Sequence, residues 1–261
     1  MKKINYARVV HALAYRFAWP RNEKCILCGR TFYRFLPYQG AGLDALALME
    51  AVGAVGSDVE NFECPWCGCN DRERHLFFYM TAAGLLPSML GMSVLHFAPE
   101  KRLSPLILKA CPDRYTKCDL FPQTSDVMQV DILKMPFDDC DFDLVIANHV
   151  MEHVSDDLLA LREVCRVLKP GGYAILQTPF SSKLHRTWSD PGIDTDEARL
   201  HAHGQEDHVR LYGRDVFQRF ESVGLESRVK DHRELLKEIE GRKFGVNEGE
   251  PFFLFQKPTR Y

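Results

Sequence analysis

The first apolar pattern along the chain is helical. Tyr6, Val9, Val10, Leu13, Ala14 and Phe17 recur at helical spacing while Lys2, Lys3, Arg8 and Arg16 stand largely off that stripe, which predicts a basic amphipathic helix over 3–18. Trp19-Pro20 ends it. Residues 25–72 hold two cysteine pairs around a glycine-containing stretch whose middle, Gly42 to Val55, is rich in Ala, Leu and Val and only weakly periodic. A linking helix is expected from His75 to Leu86, stopped near Pro87. From Ser93 onward short apolar runs alternate with helical patterns, the signature of βα units and a mostly parallel sheet.

The best-marked unit runs from Phe142 to Ala147 (FDLVIA), a buried strand, into a helix with Ser155 as cap and Asp156 and Asp157 in its first turn. Leu158, Leu161, Val164, Cys165 and Leu168 share one face of that helix. Lys169-Pro170-Gly171-Gly172 closes it and Tyr173–Gln177 begins the next strand. Earlier strands are expected at Val94–Ala98, Tyr115–Asp119 and Val127–Ile132, and later ones near Gly224–Val229 and Phe252–Gln256. No internal repeat is visible. The pattern divides the chain into a basic helix (1–24), a cysteine module (25–75), a linking helix (76–92) and an α/β domain (93–261).

A length of 261 residues suits one α/β domain plus a small appendage. A content of 46% hydrophobic and 26% charged residues excludes disordered, fibrous and membrane-spanning classes. The net charge of −3 gives the whole molecule no attraction for nucleic acid or anionic lipid. Its distribution is uneven. Residues 1–40 carry eight basic side chains against Glu23 alone, so local contact of the N-terminal helix with RNA or an anionic membrane surface is one reading, and packing against the cysteine module is another. No apolar run approaches the roughly 18 residues of a membrane span, and the start lacks the apolar stretch of a signal peptide. The expected location is the cytoplasm, at most peripheral at the inner membrane.

Nine cysteines, four of them in CxxC pairs, point in a reducing compartment to metal or redox chemistry before disulfides. Cys25-Ile-Leu-Cys28-Gly29 and Cys64-Pro-Trp-Cys67-Gly68 each put two thiolates on a tight turn, and two such turns facing each other make a tetrahedral site for a structural zinc. Cys69 is a substitute ligand. The rival readings are a redox pair or free buried cysteines. A closed four-sulfur site serves folding rather than chemistry.

The run from Asp131 through Phe180, with PF-x4-FD-x-V, EHV and RVLKPGG as its most specific parts, resembles class I S-adenosylmethionine-dependent methyltransferases of the type 11 kind, over about residues 93–225. The resemblance implies a Rossmann-like seven-stranded methyltransferase sheet, preceded here by the small zinc-knuckle module, with the cofactor across the carboxyl ends of the strands. Asp119, followed by Leu120, matches the acid that receives the ribose hydroxyls. Asp131 and Ile132 match the residues bordering the adenine, and Asn148 and His149 are expected near the sulfonium. Strand-end acids also cap turns or stay solvated. Where the family has an acid and then GxGxG, this chain has His96-Phe97-Ala98-Pro99-Glu100. Ala98 stands at the crowded point that normally needs a residue without a Cβ. Glu100 is a candidate for the cofactor's ammonium, or else a surface carboxylate. Ser104-Pro105 reads as a helix cap followed by proline. The HFAPE form resembles a bacterial subgroup that also carries the paired CxxC.

Methyl transfer needs an acceptor held close to an activated carbon and, for a hydroxyl, a proton acceptor. His149 and His208 are the candidate bases; His153, His201 and His203 are nearby alternatives, with His153 assigned to packing and Arg210 and Asp215 to an ordinary ion pair. Three functions follow. One is methylation of a small molecule, for instance a sugar hydroxyl of a surface glycan or its precursor. The second is RNA methylation, against which the catalytic half shows no basic run interleaved with aromatics. The third is a non-enzymatic binding protein that has lost cofactor affinity with its glycines.

Overall fold

A computed structural model describes residues 6–40 and 43–259. In chain order the elements are α1 (Tyr6–Phe17), β1 (Glu23–Lys24), β2 (Thr31–Phe32), α2 (Leu43–Ala51), β3 (Ala54–Val55), α3 (Asp71–Ala82), β4 (Ser93–Phe97), α4 (Ser104–Lys109), β5 (Arg114–Asp119), β6 (Met128–Gln129), β7 (Phe142–Ala147), a 3-10 turn (Met151–His153), α5 (Asp157–Val167), β8 (Leu168–Ile175), β9 (Phe180–Ser181), α6 (Asp196–His203), α7 (Val216–Glu221), β10 (Glu226–Ser227), α8 (His232–Leu235), α9 (Gly241–Phe244) and β11 (Leu254–Gln256). The main sheet has seven strands in the order β10-β11-β8-β7-β4-β5-β6. Pairings from β6 to β8 are parallel, and β11 enters antiparallel between β8 and β10. This is the expected Rossmann-like methyltransferase sheet. Strand order reverses at the β4/β7 junction, the place where open α/β sheets bind ligands.

Both faces of the sheet are covered, so its central strands are apolar on both sides rather than alternating. Leu95, Phe97, Val145, Ala147, Phe253 and Phe255 pack with Leu161 and Val164 of α5 and Phe220 of α7. On the other face Val94, Leu144, Ile146 and Leu254 pack with Leu76, Tyr79 and Met80 of α3 and Ile107 of α4. Each fully buried Leu, Ile or Phe stabilises the fold by roughly 1.5–3 kcal/mol. A third cluster, Phe32, Phe35, Cys25, Cys64 and Cys69, forms the centre of the cysteine module.

The differences from the sequence reading are local. The expected helix 3–18 is found as Tyr6–Phe17; residues 1–5 lie outside the described residues. The weakly periodic stretch contains α2, with Gly42 outside the described residues. The linking helix begins earlier, at Asp71, because Asn70 accepts from the Glu73 amide while the Glu73 side chain accepts from the Asn70 amide, a reciprocal capping box. Asp156, not Ser155, caps α5. Leu103 precedes α4 without a side-chain cap, so Ser104 is already helical. KPGG lies within β8: the chain is extended from Leu168, Gly171 takes φ +83°, and its amide bonds Lys257 O. The expected strand 127–132 shrinks to Met128–Gln129. Along α1, Arg16 donates to Pro65 O and lies over the Trp66 ring, Arg8 pairs with Glu63, and Val10 and Phe17 stay exposed. Among the described residues no helix is long and apolar enough to cross a membrane.

Candidate active site

A cleft of about 600 Å3 opens over the carboxyl ends of β4, β5 and β7. Phe97, Ala98, Leu120, Ile132 and Val150 give it apolar walls, and Asp119, Asp131, His149, His153 and Asp207 give it polar ones. Asp119 ends β5; its Oδ1 accepts the Phe121 amide at 2.8 Å. Asp131 Oδ1 accepts the Leu133 amide at 2.9 Å in the same way. Each acid therefore spends one oxygen holding its own turn, and among the described residues neither Oδ2 makes a hydrogen bond. Both acids thus cap their own turns and also line the cleft.

Ala98 keeps the backbone conformation that a glycine would supply, with φ +46°, a left-handed value that costs an L-residue roughly 1–2 kcal/mol. Below it, Glu100 is no surface carboxylate. Its Oε2 lies 2.9 Å from His96 Nε2 and its Oε1 accepts from Asn148 Nδ2 at 2.5 Å. Burial opposes the Glu100 charge, but His96 and Asn148 outweigh it and hold its carboxyl below the usual range. His96 is fully buried and its Nδ1 lies 2.8 Å from the Tyr115 hydroxyl. Asn148 is thus committed to the loop after β4. The same loop is braced from the cysteine module: Glu73 accepts the Arg102 amide at 2.7 Å, and Arg102 Nε donates to Cys67 O at 2.7 Å.

His149, also left-handed at φ +54°, is buried between two carboxylates, 3.3 Å from Glu152 through Nδ1 and 3.3 Å from Glu250 through Nε2. Glu250 in turn meets His75 at 3.3 Å, and His75 meets His232 at 3.0 Å. Burial and Arg72 oppose a charge on His149, yet the two carboxylates prevail and its pKa is raised. His208 is buried behind His153 rather than on the cleft wall, and burial pulls its pKa down to about 4. His153, which the sequence assigned to packing, lines the cleft with 30% of its side chain exposed. His201 is exposed at the end of α6, and His203 packs edge-on to Trp188.

Arg210 and Asp215 do not pair with each other. The buried Arg210 guanidinium donates to Met151 O, Val154 O and Ser155 O and lies 3.9 Å from Asp157, so it pins the loop that carries Glu152 and His153. Asp157 also receives Arg219 through two 2.6 Å bonds and the Tyr212 hydroxyl at 2.8 Å. Asp215 accepts from Thr187 instead. Sequence reading missed Glu250, His75 and His232; they lie in parts of the chain without a motif and meet only through the fold.

In the module, the Sγ atoms of Cys25, Cys28, Cys64 and Cys67 all lie within 4.8 Å of one another. The Cys25–Cys67 and Cys28–Cys64 separations are 3.8 and 3.9 Å. A tetrahedron with metal–sulfur distances of about 2.3 Å has edges of about 3.8 Å. Gly29 and Gly68 take φ +73° and +72°, and their amides return to Cys25 O and Cys64 O, so the two turns are copies. Neighbouring thiols, Cys64 first, pull the Cys25 pKa down to about 6. Cys69 Sγ approaches Cys25 Sγ at 3.4 Å and receives Arg74 Nη1 at 3.6 Å.

The reversed strand order, Asp119 at the end of β5, Asp131 in the turn after β6 and the cleft at the switch point together define a Rossmann-like fold of the class I S-adenosylmethionine-dependent methyltransferase type. The model of the family described as Methyltransferase domain matches residues 102–176 of the chain. The chain is similar to the demethylmenaquinone methyltransferase of Staphylococcus carnosus, 43% identical over 49 residues that make up 19% of this chain and 20% of that protein. It is also similar to the malonyl-acyl-carrier-protein O-methyltransferase of Erwinia billingiae, 41% identical over 63 residues, 24% of this chain and 25% of that one. The shared stretch is thus about a fifth to a quarter of either relative. Among solved structures, an S-adenosylmethionine dependent methyltransferase from Mesorhizobium loti aligns with a TM-score of 0.42 and 17% identity over 68% of this chain and 95% of that one.

Proposed function

We propose that this protein transfers a methyl group from S-adenosylmethionine to a small-molecule acceptor. The observation that carries the reading is the cleft at the strand-order switch, edged by the Asp119 and Asp131 carboxylates and by the left-handed Ala98 turn. The cofactor would supply a methyl carbon already activated by a sulfonium. Asp119 would receive the ribose hydroxyls, while Leu120, Asp131 and Ile132 would border the adenine. Glu100 remains an anion beside the loop where the cofactor's ammonium belongs, with His96 and Asn148 fixing its orientation. Ala98 presents only a methyl group at the crowded point.

The base assignment moves. His149 sits between two carboxylates that raise its pKa, which suits it to fixing charge rather than accepting a proton, and His208 stands behind the wall. His153 is the imidazole that meets an acceptor, with Asp207 on its Nδ1 side. The curated relatives carry names of small-molecule methyltransferases, and a sugar hydroxyl of a surface glycan or its precursor remains the acceptor class we favour. The four cysteines hold a structural zinc. A second reading, a polyanionic acceptor such as RNA, is favoured by one observation: Arg21, Arg34, Arg242 and Lys243 surround a separate cleft beside the module.

Calorimetric titration with S-adenosylhomocysteine, with an Asp119→Ala control and a zinc assay on the same sample, tests the reading. Micromolar binding that the control abolishes supports it. A folded, zinc-loaded protein that binds none refutes it in favour of a non-enzymatic role.

A further inference from the structure

Where His153 meets the cleft, Glu152 and His208 lie buried against it, and the three form a cluster of metal-binding type. We propose that Glu152, His153 and His208 hold a divalent transition-metal cation whose open coordination positions face the cleft and receive an acceptor bearing a pair of adjacent oxygens. Each of the three residues offers a ligand atom, and these atoms lie within 4.8 Å of one another. In each, the other polar atom is engaged by a neighbour. His208 Nδ1 is 3.1 Å from His203 O, which puts the proton on Nδ1 and leaves the Nε2 lone pair free. Glu152 Oε2 accepts the Thr178 hydroxyl at 2.9 Å. His153 Nδ1 is 3.2 Å from both Asp207 O and Asp207 Oδ2. Metal sites fix their ligands by such outer contacts.

The atoms left over are His208 Nε2, Glu152 Oε1 and His153 Nε2. His208 Nε2 is buried without a hydrogen-bond partner among the described residues, in a side chain 4% exposed, while Glu152 Oε1, in a side chain 0% exposed, has the His149 imidazole at 3.3 Å on its other side. An uncompensated buried polar atom such as His208 Nε2 costs roughly 1–3 kcal/mol, and a cation ligated by it removes that cost. Glu152 Oε1 stands 4.0 Å from His153 Nε2; octahedral ligands about 2.1 Å from a metal are about 3 Å apart, so side-chain rotation of about 1 Å closes the site. The support is rigid, since the Val209 amide donates to Glu152 O at 2.9 Å and Arg210 pins the same turn. Two imidazoles and one carboxylate on one side leave up to three positions open.

The acceptor half of the inference rests on the methyl-transfer reading; the cation site stands without it. Ligation lowers the pKa of an acceptor hydroxyl. Its proton passes to Asp207 and on to water, and the oxygen lone pair forms the O–CH3 bond as the sulfonium C–S bond breaks and the neutral thioether departs. His153 then acts as a ligand rather than as the base.

The full-length protein, dialysed against EDTA and assayed for retained zinc, would be titrated with Mn2+ by the loss of the free ion's EPR signal and with Co2+ by visible absorption. The expected result is one saturable ion per chain, with Co2+ bands free of thiolate charge transfer. Affinity should fall at least thirtyfold in Glu152→Gln and His208→Ala, and stay unchanged in His185→Ala, an exposed histidine elsewhere. Cooperative unfolding of each variant checks the fold. No uptake of either ion by the folded wild-type protein overturns the inference, as does uptake that survives both substitutions. Cation uptake without S-adenosylhomocysteine binding keeps the site and sinks the methyl-transfer reading; the converse keeps methyl transfer and sinks the site.

Discussion

Arg74 makes the sharpest test of how the cysteine module and the α/β domain depend on each other. The side chain is fully buried, and its guanidinium donates to Asn61 O at 2.6 Å, Gly245 O at 2.7 Å, Phe244 O at 2.9 Å, Cys69 O at 3.0 Å and Phe62 O at 3.2 Å, with its Cζ 4.0 Å from the centre of the Phe35 ring. Among the described residues it forms no ion pair with a carboxylate, so carbonyl dipoles and the sulfur cluster answer its charge. Arg74→Met keeps the stem and removes every donor. Of the five carbonyls, Cys69 O retains the Cys64 amide, while the others lose bonds from a charged donor that are worth roughly 1.5–3 kcal/mol apiece. The 241–245 turn can relax toward water, so the sum is not additive, and the expected loss is about 3–5 kcal/mol, as for breaking a buried charged cluster. That is a large share of the roughly 5–15 kcal/mol of a natural domain. Arg74→Lys keeps the charge but lacks the planar fork and should recover less than half. Urea unfolding, followed by fluorescence with zinc measured in the same samples, reads both effects. A Met variant within about 1 kcal/mol of wild type, with its zinc retained, would refute the argument that Arg74 joins the two parts.

Four further outcomes are expected. Ala98→Gly relieves the left-handed strain of roughly 1–2 kcal/mol but gives up roughly 0.5–1 kcal/mol through the freer unfolded chain; thermal unfolding should show a melting temperature unchanged or slightly raised, and a clear fall would mean that φ +46° is not strained here. Asp119→Ala should weaken S-adenosylhomocysteine binding about 10–100-fold by calorimetry, the worth of one charge-assisted hydrogen bond, while stability falls by only about 0.5–1.5 kcal/mol for the lost Phe121 turn bond. For Asp157, burial opposes the charge but Arg219, Arg210 and Tyr212 hold the carboxyl below its ordinary value. That stability is present above the ordinary range near pH 4 and is lost as pH falls through the depressed pKa. Asp157→Asn should therefore cost about 3–5 kcal/mol at pH 7 and flatten the acid limb of the stability–pH curve; an unchanged limb counts against the assignment. Glu250→Gln removes one of the two carboxylates beside His149, so NMR titration should find the imidazole pKa lower than in the wild type, and no change would mean that Glu152 alone sets it.

Much of this was legible in the residues because burial on both sheet faces writes continuous apolar runs. FDLVIA became β7 with both ends as expected, and Asp119 and Asp131 fell on the cleft from their places at strand ends. Where local hydrogen bonds compete with the apolar pattern, boundaries moved. The Asn70–Glu73 capping box was present in the sequence but overlapped the cysteine motif, and it starts α3 four residues early. Val127–Ile132 reads as a strand by its side chains, yet the Asp131 turn stops pairing beyond the bond from Val130 N to Asp119 O. The polar chain from His149 through Glu250 to His75 and His232 could not be read at all. Its members are up to 175 positions apart, and no periodicity marks a residue whose partner is chosen by tertiary packing.

Helix α3 has a practical corollary for how such a protein can be taken apart or recombined. Consecutive residues of one helical turn address different places: Glu73 holds the loop after β4, Arg74 reaches the sulfurs, His75 meets Glu250, and Leu76 enters the sheet core. A boundary drawn between residues 75 and 76 would cut through this turn. Removing everything before Ser93 would also strip Tyr79 and Met80 from one face of the sheet. The cysteine-bearing segment is therefore not an exchangeable cassette. Chimeras that swap it should carry the whole of residues 21–82 together with the matching 241–250 loop, or they will yield insoluble protein whatever the fate of the cleft.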